Sequence, residues 1–107
     1  MIVSTHTFTS QNNQPLSEHK FYHDLPNNFK VVVDLLREFG TNKAVRTLDY
    51  KESTSSVDVI NVWSEVDFQS FLDYAEGITG GYESWLNDFA VVQNTIGFTF
   101  TRKIETI

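Results

Sequence analysis

The feature that most constrains this chain is a change of hydrophobic period inside one short segment, Val57-Asp58-Val59-Ile60-Asn61-Val62-Trp63-Ser64-Glu65-Val66-Asp67-Phe68-Gln69-Ser70-Phe71-Leu72. Up to Trp63 the side chains alternate. Val57, Val59, Asn61 and Trp63 fall on one face, and Asp58, Ile60 and Val62 on the other, which is the period of a β-strand. After Ser64, the residues Phe68, Phe71, Leu72 and Ala75 recur at helical spacing. Ser64 is suited to cap that helix and Asp67, three residues on, to sit in its first turn. Apolar residues on both faces of the strand mean that both faces are covered.

The rest of the chain repeats the same two periods. Residues 1–9 alternate, with Ile2, Ser4, His6 and Phe8 opposite Val3, Thr5, Thr7 and Thr9, so a strand is expected. Residues 10–16 carry turn chemistry, and residues 17–25 fit either a short helical turn or an ordered loop. From Asn28, the residues Phe29, Val32, Val33, Leu36 and Phe39 predict an amphipathic helix ending at Gly40. Residues 43–53 and 57–64 read as a hairpin joined by Thr54-Ser55-Ser56. The helix after Ser64 is expected to stop at Gly77. Gly80-Gly81 punctuates, and Tyr82, Trp85, Leu86 and Phe89 predict a further helix. Residues 98–107 alternate again as a last strand, with Phe98, Phe100, Arg102 and Ile104 sharing a face.

The predicted architecture is an α+β, ferredoxin-like βαββαβ fold, with an antiparallel sheet and the helices on one face. At 107 residues the chain has the length of one domain, so residues 1–107 are read as a single unit. Nine Phe, four Tyr and two Trp supply enough bulk for one core, since each ring buries on the order of 150–250 Å².

Composition removes several functions. The chain has no cysteine, so disulfides, thiolate metal sites and a cysteine nucleophile are out. A net charge of −6, with the basic residues scattered, argues against nucleic acid. No apolar run approaches the ~20 residues that cross a bilayer, and the first residues lack a secretory pattern. A soluble, cytoplasmic protein is the expectation. No nucleophile elbow, phosphate loop, dinucleotide fingerprint or paired-carboxylate motif is present.

The 57–72 segment resembles the signature of the dimeric α+β barrel proteins, and more narrowly of the antibiotic-biosynthesis-monooxygenase type. In that family a hydrophobic strand ends in Trp and a Ser-type helix start follows, then Phe and an aromatic-Leu pair. Leu35-Leu36-Arg37-Glu38-Phe39-Gly40 leading into Ala44-Val45-Arg46-Thr47-Leu48 is similar to it too, as is the opening strand. The resemblance implies a homodimer whose two sheets face each other to close a barrel, with the helices outside. Family members include cofactor-independent oxygenases of aromatic substrates and haem-degrading enzymes. Haem degradation needs an axial histidine on the helix after the Trp, and residues 77–89 contain none, so no cofactor is expected.

Candidate site residues follow. His6, on a strand face shared with Phe8, is the candidate base, because imidazole titrates near pH 6.5; a hydrogen-bonded residue at a pocket edge is the plainer role. Trp63 matches the family's pocket Trp. With Phe8, Arg46, Tyr50, Asn61, Phe71, Trp85 and Phe89 it would line a site between sheet and helices for an apolar or aromatic small molecule, and simple core packing is the alternative. His19 and His23, four apart, lack a third ligand and are read as loop residues, so no metal is expected. Three functions remain: a small-molecule-binding dimer, a cofactor-independent monooxygenase with His6 as base, and a non-catalytic structural dimer.

Overall fold

The structure is a computed structural model that describes residues 1–11, 23–43, 46–52 and 56–107, with backbone alone at 35–37, 39–43, 46–52 and 57. The elements run β1 (Ile2–Ser10), α1 (Asn27–Lys43), β2 (Arg46–Glu52), β3 (Ser56–Trp63), α2 (Glu65–Thr79), α3 (Tyr82–Thr95) and β4 (Phe98–Thr106). They form a four-stranded sheet in the order β2-β3-β1-β4, with every neighbouring pair antiparallel. This strand order, with crossovers through α1 and through α2–α3, is the ferredoxin-like βαββαβ topology that the periodicities predict. One extra helix, α3, lengthens the second crossover.

Register assigns the faces. Ile2, Ser4, His6 and Phe8 of β1 stand opposite Trp63, Asn61, Val59 and Val57 of β3. On the other side, Ser4, His6, Phe8 and Ser10 stand opposite Ile104, Arg102, Phe100 and Phe98 of β4. That row faces the helices, and on it Ser4, Phe8, Ser10, Trp63 and Phe98 are buried. The opposite face carries Val3, Thr5, Thr7 and Thr9 beside Asp58, Ile60 and Val62. There the Thr7 hydroxyl donates to Asp58 Oδ1 at 2.7 Å, and the Thr9 and Ser56 hydroxyls lie 3.3 Å apart.

Between sheet and helices lie two aromatic clusters. The first joins Phe8, Leu25, Phe89 and Phe98, with half-buried Phe29, Val33 and Val59 packed on it. The second joins Trp63, Phe68, Phe71, Ala75, Tyr82 and Leu86. Trp85 and Phe100 touch both. Trp63 is only 1% exposed. Its ring stacks on Phe71 at 5.0 Å and meets Phe68 at 6.0 Å, and its indole Nε1 donates to Ser4 Oγ at 2.9 Å.

The helix ends differ in part from expectation. The start of α2 is as predicted: Ser64 Oγ accepts from the Asp67 backbone N–H at 3.1 Å and donates to Asp67 Oδ2 at 3.0 Å. However, α2 runs past Gly77 and stops at Gly80, whose φ of 69° makes the left-handed cap and whose N–H bonds Glu76 O at 2.9 Å. Likewise α1 continues through Gly40 to Lys43, so Lys43 belongs to the helix and not to β2. A glycine inside a helix costs only about 1 kcal/mol, which the packing of a long helix offsets. Residues 12–22, with His19, and 53–55, with Thr54 and Ser55 of the expected hairpin turn, fall outside the described residues, while Ser56 of that turn opens β3.

Because the indole N–H is buried, replacing its acceptor leaves a donor with no partner. Ser4→Ala is therefore expected to cost about 1–3 kcal/mol in urea unfolding. The double variant Ser4→Ala/Trp63→Phe is expected to lose less than the sum of the two single changes, because it removes both ends of the bond together.

Candidate functional site

The two aromatic clusters meet at Trp85 and Phe100, and the helix-facing rows of the sheet beside this seam also carry polar residues. His6 lies between Ser4 and Phe8 on β1, with Arg102 of β4 directly across. Asn61 of β3 stands across from Ser4, one row from His6. The strand alternation that places Phe8, Trp63 and Phe100 in the core necessarily points these residues the same way.

His6 is half-buried and stacks on Phe100, with ring centroids 6.0 Å apart and an interplanar angle of 16°. Loss of hydration, and then the Arg102 charge, pushes its pKa down to about 4. At neutral pH it is an uncharged imidazole offering one donor and one acceptor. Arg102, across from it, reaches toward the start of α3. Its Cζ lies 5.6 Å over the Tyr82 ring, within the range of a cation–π contact, and its Nη1 is 3.8 Å from Glu83 Oε1. Burial raises the Tyr82 phenol to about 12, with Arg102 opposing the shift and Glu83 adding to it. Tyr82 is thus a neutral phenol at physiological pH. Asn61 Oδ1 and Arg102 Nε are buried and have no hydrogen-bond partner among the described residues.

The other candidate residues separate into groups. Trp63 and Phe71 belong to the second cluster and Phe8 and Phe89 to the first, all buried. Half-buried Trp85 lies between the clusters, stacked on Tyr82 at 6.0 Å and on Phe89 at 5.0 Å, with Phe29 of α1 at 5.8 Å. Trp63 is closed in by Phe68, Phe71 and its bond to Ser4, whereas Trp85 borders the seam. Register puts Thr47 opposite Asn61 and Arg46 opposite Val62. Beyond Leu48 a one-residue irregularity shifts the pairing so that Lys51 meets Asp58. The side chains of Arg46 and Tyr50 are outside the described set. His23 is exposed, and no group of three or more metal-ligating side chains occurs among the described residues. Nor does any described helix have the length and apolarity to cross a membrane.

Arg102 and Tyr82 are the site residues that sequence reasoning passed over. The signal for Arg102 was present: it is the one charge on the otherwise apolar face Phe98-Phe100-Arg102-Ile104 of β4. A cation on a core-facing row has to meet a partner, and here the partner comes from α3.

No protein-family model matches the chain, and no curated protein matches it. Among solved structures, the protein Atu4242 from Agrobacterium tumefaciens is similar over 99% of this chain and 92% of its own, at 16% identity and a TM-score of 0.47. An asparagine-to-alanine variant of SnoaB, a cofactor-independent oxygenase from Streptomyces nogalater, is similar over 99% of this chain and 91% of its own, at 18% identity and a TM-score of 0.45. Neither likeness carries an argument about activity; the fold is read from the chain's own strand order.

The depressed His6 pKa has a consequence for stability. The unfolded chain binds a proton on this residue near pH 6.5, and the folded chain binds it only near pH 4. Stability from His6 is therefore complete above about pH 6.5 and is lost as pH falls toward 4. Between pH 7.5 and 5 this amounts to about 2 kcal/mol. Urea unfolding at the two pH values is expected to show a larger acid loss for the wild type than for His6→Gln, which lacks that proton site.

Proposed function

We propose that the protein is a small-molecule-binding domain of the dimeric α+β barrel kind, holding an apolar or aromatic ligand in the seam against His6, Asn61 and Arg102. The observation that carries this reading is the pair of buried polar atoms, Asn61 Oδ1 and Arg102 Nε, that have no partner among the described residues and share one face with a neutral imidazole. Buried polar atoms cost free energy unless something bonds them. A ligand with a ring to lie between Trp85 and Phe100, and an oxygen function to meet these groups, would supply the missing bonds. Of the aromatic residues, Trp85, Phe100 and Phe29 would form the apolar wall. Trp63, Phe71, Phe8 and Phe89 would support it from behind.

Binding is favoured over catalysis. A cofactor-independent monooxygenase would need His6 to take a proton from the substrate, and a base is most effective when its pKa lies near the working pH. An imidazole pushed to about 4 is free to accept a proton but weakly drawn to it. The structural-dimer reading has its own support in the Trp63 cluster, where the aromatic rings already meet one another and the indole N–H is bonded to Ser4.

In this proposal the dimer forms sheet to sheet, through the face that the helices leave bare. Half-buried Val3 and Ile60 give that face its apolar part, Val62 being already buried within the chain, and Thr5, Thr7 and Thr9 keep it free of charge along β1. Sedimentation at ~10 µM is expected to give a dimer, and Ile60→Glu to give a monomer; a wild-type monomer at that concentration would refute the pairing. For the ligand, titration with 2-naphthol is expected to change tryptophan fluorescence saturably. Asn61→Ala should weaken the affinity about tenfold, or ~1.4 kcal/mol. No saturable change with naphthalene-class compounds would sink the binding reading.

A further inference from the structure

Arg102 is the only cation on the helix-facing side of β1, β3 and β4, and its charge is poorly answered. A guanidinium has five N–H donors and does not lose its proton in a protein. Its one carboxylate partner among the described residues is Glu83, at 3.8 Å, near the outer limit of an ion pair. The Glu83 side chain is 85% exposed while that of Arg102 is only 19% exposed. An ion pair with one end so far into water contributes little. The cation is therefore mostly desolvated and its counterion mostly is not.

The other groups around the cation do not neutralise it. His6, opposite on β1, is uncharged at neutral pH and stacks on Phe100. Tyr82, from α3, presents its ring face and not a phenolate. Glu76, at the end of α2, has its Oε2 taken by the Tyr82 backbone N–H at 2.8 Å. Asp58 belongs to the opposite face of the sheet, bonded to Thr7. Arg102 Nε itself is buried and has no partner among the described residues.

We infer that the ligand of this seam is an anion, a flat aromatic molecule whose negatively charged oxygen takes the place of Glu83 on the Arg102 guanidinium. The inference rests on the binding reading above and names the class of molecule it admits. A carboxylate or an ionised hydroxyl on the ring would reach Arg102 in a site that excludes water, where a charge-assisted hydrogen bond is stronger than at the surface. Glu83, on an exposed first turn of α3, is free to swing away, so it acts as a stand-in counterion that the ligand displaces. Asn61 Oδ1, by accepting, and His6, by donating or accepting, then select among ring substituents through neutral hydrogen bonds.

The test compares 2-naphthoate with its uncharged isostere 2-naphthamide, by isothermal titration at pH 7.5 and low salt. For the wild type, the carboxylate is expected to bind at least tenfold more tightly than the amide. Glu83→Gln removes the competing carboxylate, and being exposed it should leave the fold intact. It is expected to tighten naphthoate several-fold while leaving naphthamide unchanged. Arg102→Gln is expected to erase the difference between the two compounds. If Arg102→Gln does not fold, the Glu83→Gln arm alone still decides. Equal binding of the two compounds, or tighter binding of the amide, would overturn the anion inference and leave the binding site standing. Naphthoate unaffected by Glu83→Gln would overturn it as well. If neither compound binds at millimolar concentration, the binding reading fails and this inference fails with it.

Discussion

The hydrogen bond from Trp63 to Ser4 holds the rest of this fold in place. It joins the last residue of β3 to the second row of β1, so it pins the register of the central strand pair. A slip of one residue would turn every core residue of β3 outward. It also makes the burial of Trp63 affordable, since an indole in the core needs an acceptor for its N–H. Because α2 begins two residues later, at Glu65, the same anchor fixes where that helix leaves the sheet. Phe68 and Phe71 then come down onto the indole, and Tyr82 and Leu86 of α3 close over them.

A chain with this many rings could have filled the layer between sheet and helices with aromatics alone. It does not: His6, Asn61 and Arg102 share the helix-facing rows with them. Each lies on a strand position that alternation commits to the core, and none can turn away without breaking the sheet. Their placement is therefore determined by the sheet, and Asn61 Oδ1 and Arg102 Nε have no hydrogen-bond partner among the described residues. In the binding reading proposed above, rigid strands would hold these polar groups in place before a ligand arrives. Core packing alone would have been better served by valine or leucine.

The order of elements was legible because each segment keeps one period for its whole length, and the Ser64 cap was legible because its geometry is local. The ends of α1 and α2 were not, because Gly40 and Gly77 look like stops to a local reading, and only the packing of the full helix outweighs their small cost. Of the candidate site, only the faces were legible: His6 and Asn61 lie on the helix-facing rows as strand alternation requires, but Trp63 turned out to be packed and bonded, with Ser4 as the partner. A bond between residues 4 and 63 belongs to tertiary structure, and no spacing announces it. Arg102 stood in plain view on an apolar face, yet its significance depends on Glu83 and Tyr82, which only the crossover through α3 brings near. The irregularity in β2 after Leu48 is another case: alternation within the strand cannot reveal that its pairing shifts by one.

The strand order carries a consequence for how the chain acquires its shape. β1 is made first but lies second from the edge, and one of its two neighbours, β4, comes some ninety residues later, with Ile2 paired to Thr106. Contacts between such distant residues are slow to form, because a long loop must close before they bring any gain. Until β4 docks, one whole flank of β1 stays open, with Phe8 and His6 beside unpaired backbone. That makes an adhesive edge on the growing chain. A chain whose β4 has not yet paired therefore carries its association-prone edge at the centre of the finished sheet and not at its rim.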